Sequence, residues 1–302
     1  MKITKTQLHN LEDHYCIMYA LLGRNLIRRF GYEGEAALRD ATRQYGQDRG
    51  LARRKAHLDA GLKINMLNLF TMGGDLPSDG RTERELQRIN AQERVSHTLT
   101  CPMADIWDAY GCMDIGRIYC EEFHYACYST YGYGYTRVNI ATTLTQQGDQ
   151  YCAFNVVLRP QQLPAALRSR CFEEYDPGYL PPQNTKLPVP GAQDGYRALW
   201  LKLYYYLLKA SVEHFGAAGS EAMACGLEEL AQTVTNDFVA KAPAPGLDYL
   251  QSNYPLQMDT RKETMWQAYH GFQARELLEQ HFIRVLLAAF APCQQEEGEN
   301  NA

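Results

Sequence analysis

The chain has 302 residues, of which 45% are hydrophobic and 22% charged, with a formal net charge of −5. These are ordinary values for a globular protein with a sizeable core. No run of Lys and Arg interleaved with aromatics occurs, and no apolar stretch approaches the length of a membrane span, so nucleic acid and membrane are excluded as expected partners.

The nine cysteines are Cys16, Cys101, Cys112, Cys120, Cys127, Cys152, Cys171, Cys225 and Cys293. An odd, scattered set without a CxxC pair points to reduced thiols rather than a disulfide framework or a zinc ribbon. The N-terminal stretch carries charges where the apolar part of a signal peptide would lie, so a cytoplasmic location is expected. The basic stretch from Arg49 to Lys55 reads as a solvated helix face.

Residues 5–30 place Leu8, Leu11, Tyr15, Met18, Leu22 and Leu26 at helical spacing and reach a stop at Phe30-Gly31. A second helix is expected through GEAALRDATRQYGQDRG and on towards Phe70. The Gly, Pro and Asp content of residues 72–81 marks a loop. From Val95 the pattern changes to period two, with Val95, His97, Leu99 and Cys101 on one strand face. A helix starts near Pro102. Val138–Leu144 and Tyr151–Leu158 read as strands joined by a QQGD turn, hence an antiparallel hairpin. Residues 175–193 hold five prolines and read as an extended linker. The pattern is then helical to Phe290, and the tail QQEEGENNA is expected to be disordered. The expected organisation is an α+β domain over 1–160, a Pro-rich linker over 161–195 and a mostly helical domain over 196–302.

An internal repeat links the halves. LLGRNLIRRFGYEGEAAL at 21–38 and LLKASVEHFGAAGSEAMA at 207–224 both place an apolar helix before Phe-Gly and an acidic start to the next helix. IWDAYG at 106–111 is echoed by MWQAYH at 265–270. The second half therefore reads as a truncated duplicate of the first.

Chemistry concentrates between Cys101 and Phe154. Cys120, His124 and Cys127 follow i, i+4, i+7 spacing, which puts them on one helix face. A thiolate beside an imidazolium is an activated nucleophile. The same pair could hold a divalent metal, Zn or Mn, if Cys101 or Cys152 completed the shell. The plain alternative is that these thiols act as small hydrophobes. Cys152 and Phe154 share an apolar strand face, and Asp149 after Gly148 is ordinary turn chemistry. Asp114, Glu121 and Glu122 flank the cysteine helix as carboxylates that could act as bases. His97 is a second histidine, better read as a core residue. The tyrosines at 125, 128, 131, 133 and 135 could line a small-molecule pocket, Tyr131 among them. Arg49 offers a guanidinium for a carboxylate, with a surface role as the default.

The order of motifs is CP, a Trp-containing helix start, a cysteine-rich helix, a strand, then TLTxxGDxxCxF. It resembles the L-2-amino-thiazoline-4-carboxylic acid hydrolase family. The resemblance rests on Cys101-Pro102, Gly111, Cys120, Asn139, Thr143-Leu144, Gly148-Asp149, Cys152 and Phe154, with YGQDRG upstream, and covers residues 15–158. It implies hydrolysis of a small cyclic amidine at a C–N or C–S bond. Cys120 would be nucleophile or metal ligand and His124 base or ligand. Asp149 and Asn139 would orient water or the amidine, with Cys152 a second thiol candidate and Arg49 and Tyr131 binding substrate. The GDxxCxF hairpin is similar, more distantly, to vinyl-reductase-type small-ligand domains, which implies an α+β fold with an antiparallel sheet flanked by helices. That second resemblance keeps open a ligand- or metal-binding sensor without turnover. A third reading is an accessory subunit with an exposed apolar helix face around Leu201–Leu208. A homo-oligomer is compatible with each.

Overall fold

A capping box opens the first helix: the Thr4 hydroxyl accepts the Gln7 N–H at 3.1 Å and the Gln7 side chain accepts the Thr4 N–H at 2.9 Å. The computed structural model describes residues 3–74, 79–183, 185, 187, 189–242 and 246–290. The C-terminal tail and Cys293 lie outside the described residues, as do parts of the 72–81 loop and of the Pro-rich linker.

Helix α1 (Lys5–Asp59) turns at Gly31, where φ is 58° and ψ −130°. The Phe30-Gly31 stop is therefore real, and helix resumes directly after it. The second arm ends at Asp59 rather than continuing to Phe70; α2 (Met66–Thr71) is separate and capped by Asn65. The same corner is built again between α6 (Ala192–Phe215) and α7 (Ala217–Lys241), where Gly216 has φ 58° and ψ −132°. Phe30 and Phe215 stack face to face across the two corners, 3.8 Å apart at 7°. The repeat read in the sequence is thus a repeat of backbone geometry.

Both glycines occupy a region of φ/ψ space that side chains strongly disfavour, and a Cβ added at either meets no atom within 4 Å. Gly31→Ala and Gly216→Ala are each expected to cost about 1–3 kcal/mol from backbone strain alone. Denaturant unfolding of the two variants checks this, and wild-type stability in both would show that the corners relax.

Helices α3 (Pro102–Ala109) and α4 (Met113–Tyr131) pack on α1, with Trp107 donating to the Cys16 carbonyl at 3.1 Å. The echo at Trp266 lies in a 3₁₀ turn (Thr264–Gln267), so the likeness of the two Trp segments is looser than that of the corners. Helices α6 and α7 also pack on α1, so the larger hydrophobic core runs across the boundary expected at 160–195. Leu201, Leu203, Leu207 and Leu208 are buried in that core, which overturns the exposed apolar face expected there. The chain is completed by α5 (Ala165–Cys171), α8 (Leu247–Asn253), α9 (Ala274–Leu278), a π turn (Glu279–Ile283) and α10 (Arg284–Phe290). No described helix is long and apolar enough to cross a membrane.

The sheet has four antiparallel strands in the order β1-β2-β4-β3: β1 (Glu83–Ile89), β2 (Glu93–Thr100), β3 (Arg137–Ile140) and β4 (Cys152–Val157). The expected hairpin is present, with Ile140 opposite Phe154. The fold is α+β with a helical second half, as the sequence implies. Strand β1 escaped the pattern because it is an edge strand of exposed, mostly charged side chains.

Candidate functional site

Alternation along β2 turns Arg94, Ser96 and Thr98 inward, all at most 5% exposed, while Val95, His97 and Leu99 face outward. The expected face-sharing holds for Val95, His97 and Leu99, on the outer face, but not for Cys101, which lies just past the strand's end near Cys120 and Cys152. His97 packs on Tyr151, with ring centroids 4.5 Å apart. A guanidinium and two hydroxyls buried along one strand face make a polar seam at the edge of a hydrophobic core. Beside it, β4 turns Cys152, Phe154 and Val156 inward.

Helix α4 covers this face with Cys120, His124 and Tyr128, at i, i+4, i+8. Each is enclosed by protein yet keeps some accessible surface, as does Cys101, and Tyr128 packs against the second hydrophobic core that Cys152, Phe154 and Val156 help to form. The His124 ring meets Phe154 edge-on at 5.0 Å and lies 5.7 Å from Tyr128. Its Nδ1 is buried without a hydrogen-bond partner, and so is the Ser96 hydroxyl. Buried polar atoms are nearly always paired, so two orphans at one seam are informative. Cys127, expected on the same helix face, instead joins the helical core.

Burial pushes His124 down to about 3, and Arg49, Arg84 and Arg94 push the same way. Burial pushes Cys120 well above the usual thiol range, and neighbouring Cys101 and Cys152 add to that. Cys101 is pushed up to about 11 and Cys152 is also raised, both mainly by burial. The expected thiolate–imidazolium pair is therefore absent: imidazole and thiols are all neutral near pH 7. Desolvation penalises both charged forms at once, and at Cys152 it outweighs the help that Arg84 gives a thiolate.

Arg94 is 5% exposed. Its guanidinium lies 4.2 Å from the Phe70 ring centroid and 6.0 Å from that of Phe154. Among the described residues no Asp or Glu pairs with it; burial brings it down to about 10, with Arg84 adding to the fall. A desolvated cation–π contact gives about 2 kcal/mol. Burying a cation costs several kcal/mol. The two rings therefore leave part of the cost uncovered.

The other expected site residues scatter. Asn139 is exposed and pairs with Asn155 on the outer sheet face, away from Cys152 and Phe154, because register fixes it there. Asp149 accepts the Thr143 N–H at 2.8 Å and so shapes the hairpin loop. Cys152 accepts the Leu144 N–H through sulfur at 3.2 Å, which ties that loop to the strand. The Tyr131 hydroxyl is engaged by His57 at 2.7 Å, leaving Tyr128 as the tyrosine beside His124. Arg49 does reach the site: it stacks 4.7 Å from the Phe123 centroid and donates to the Tyr45 hydroxyl at 3.3 Å. Glu121 and Glu122 turn to Arg39 at 2.7 and 3.1 Å, as a structural clasp to α1. Among the described residues no three His, Cys, Asp or Glu side chains converge to hold a metal ion, so Cys120 and His124 lack the further ligands a Zn or Mn site would need.

Elsewhere, a groove of about 930 Å³ is lined by Gln44, Asp48, Lys202, Tyr206 and Tyr269 among others. Its Asp48 carboxylate already accepts from Lys202 at 2.9 Å, Tyr206 at 2.8 Å and Tyr269 at 2.5 Å. That cluster fastens α1 to the second half, and among the described residues none lining the groove carries an orphaned buried polar atom, unlike the seam under α4.

The model of the family described as L-2-amino-thiazoline-4-carboxylic acid hydrolase matches residues 10–156. Residues 10–156 are thus similar to this family. The matched segment runs from α1 to β4 and contains every residue named around His124. The family description supports a hydrolase. No curated protein and no solved structure matches the chain. Of the residues on the inner face of β2, Arg94, Ser96 and Thr98 had no motif to mark them; a basic residue in step with Ser and Thr on a strand was the available signal.

Proposed function

We propose that the chain opens a small cyclic amidine of the 2-aminothiazoline-4-carboxylate type by water attack, with His124 moving the proton. The observation that carries this reading is the enclosed, neutral His124 imidazole with its unpartnered Nδ1, set in the segment that the family model matches. A neutral imidazole can accept a proton, and a site walled by Phe154 and Tyr128 limits bulk water. In the proposed step His124 takes one proton from water as the water oxygen bonds to the amidine carbon. The ring C–N or C–S bond then breaks, His124 returns that proton to the departing nitrogen or sulfur, and the remaining hydroxyl proton passes to an amidine nitrogen as the carbonyl forms. A carbamoyl-cysteine is left in either case. The neutral thiols favour water over a cysteine nucleophile.

The test is incubation with 2-aminothiazoline-4-carboxylate in ¹⁸O-water, with mass spectrometry of the product. The reading requires carbamoyl-cysteine carrying one ¹⁸O, retained turnover in Cys120→Ala, and unchanged turnover in Asn139→Ala on the outer sheet face. Absence of any ring-opened product would leave a ligand-binding role. Loss of turnover in Cys120→Ala, with a thiol adduct trapped in the wild type, would replace water by cysteine as nucleophile.

A further inference from the structure

We infer that Arg94, with the Ser96 hydroxyl beside it on the inner face of β2, binds the anionic group of the substrate and so sets the site's preference for rings that carry a carboxylate. The inference rests on the hydrolase reading above and assigns the recognition half of the same site.

Residues 94 and 96 share a strand face, and Ser96 pairs with Phe154, whose ring meets His124, so both side chains lie on the side of the sheet that His124 covers. Aromatic rings cover Arg94 at Phe70 and Phe154, while among the described residues no carboxylate meets its N–H groups. A guanidinium offers a planar fork of donors suited to a carboxylate, and a hydroxyl two residues away can add a third. The Ser96 hydroxyl is buried and unpartnered. Arg84 donates to the Thr98 hydroxyl at 3.3 Å and adds positive potential on the same strand face. Arg49 is the weaker anchor, because Tyr45 and Phe123 already hold it. An anion at Arg94 would also offset the positive charge that suppresses His124, making the imidazole a stronger base in the complex than in the free protein. Recognition and proton transfer are thereby coupled.

The test compares 2-aminothiazoline-4-carboxylate with 2-amino-2-thiazoline, the same ring without its carboxylate, in wild type, Arg94→Lys and Arg94→Met. The wild type should prefer the carboxylate. Arg94→Met should raise KM for the carboxylate by roughly 10–100-fold, the range expected for losing a charge-assisted pair, and bring the two rings to similar kcat/KM. Arg94→Lys should recover part of the preference. An unpaired buried cation replaced by an apolar side chain of similar length should leave Tm equal to or above wild type. A structural Arg94 would instead lower Tm in Arg94→Met and leave the ratio between the two rings unchanged, and that pair of results overturns the inference. Calorimetric titration with the carboxylate ring separates the two readings. Binding lost in Arg94→Met, with no turnover in wild type, sustains the anion site and removes the hydrolase. Turnover that ignores the carboxylate does the reverse.

Discussion

Replacing His124 by Gln should lower turnover of the ring substrate by about 10²–10⁴-fold, the usual contribution of a positioned proton-transfer group, with the far-UV spectrum unchanged. Gln keeps the volume and a hydrogen-bonding end, so Phe154 and Tyr128 can stay in place. The pH dependence should carry the same signature. His124 is held at about 3 in the folded protein against 6.5 as its ordinary value. The unfolded chain therefore binds a proton that the folded chain does not between those two values. Stability from this residue is full above about 6.5 and is lost as pH falls towards about 3, on the order of a few kcal/mol in all. His124→Gln should accordingly move the acid-unfolding midpoint to lower pH. His57, brought down to about 4 by burial and Arg53, leaves some acid sensitivity in the variant. In kinetics, kcat/KM reports the free enzyme, so no acid limb should appear near 6.5. A limb centred there that vanishes in His124→Gln would mean the imidazole titrates as if exposed, and the enclosed-base reading would fail.

The residues that gave the sequence its resemblance are only in part those that surround His124. Cys120, His124 and Cys152 were legible because helical and strand spacing fix which side chains share a face. Spacing does not say which face is inward. On β2 the usual cue pointed the wrong way: Val95 and Leu99 are apolar and face out, while Arg94, Ser96 and Thr98 are polar and buried. That inversion is invisible until α4 is seen covering the strand. Asn139 failed for the related reason that its partner Asn155 sets it on the outer face. Tyr131 failed because His57, distant in sequence, claims its hydroxyl. The corners at Gly31 and Gly216 were legible as a repeated word, Phe-Gly. Their stacking across the core was not, because no local pattern brings Phe30 to Phe215.

Gly50→Val should destabilise the protein and disable the site together, although Gly50 is on α1 and the site's histidine on α4. A Cβ at Gly50 would stand 2.3 Å from the Cys127 carbonyl oxygen and 3.0 Å from the Thr130 Cβ. One turn earlier, a Cβ at Gly46 would stand 2.9 Å from the Phe123 carbonyl oxygen, so the two helices meet backbone to backbone. The obstacle is main chain, which cannot swing aside as a flexible side chain could. Relief requires α4 to move away from α1, towards the sheet that Cys120 and His124 already face. Overpacking of this kind costs about 1–3 kcal/mol. In a chain of this size that is a fall in Tm of about 2–5 °C. The chemistry should suffer more than the fold: a displacement of about 1 Å at a reacting group can cost 10²-fold in rate. Leu51→Val is the matched control, on the next position of the same helix but 49% exposed, with an expected effect within about 0.5 kcal/mol. Thermal unfolding and steady-state kinetics of the two variants decide the point. If Gly50→Val unfolds and turns over like Leu51→Val, α4 is not held at the sheet by its approach to α1, and the position of His124 must be set from the strand side alone.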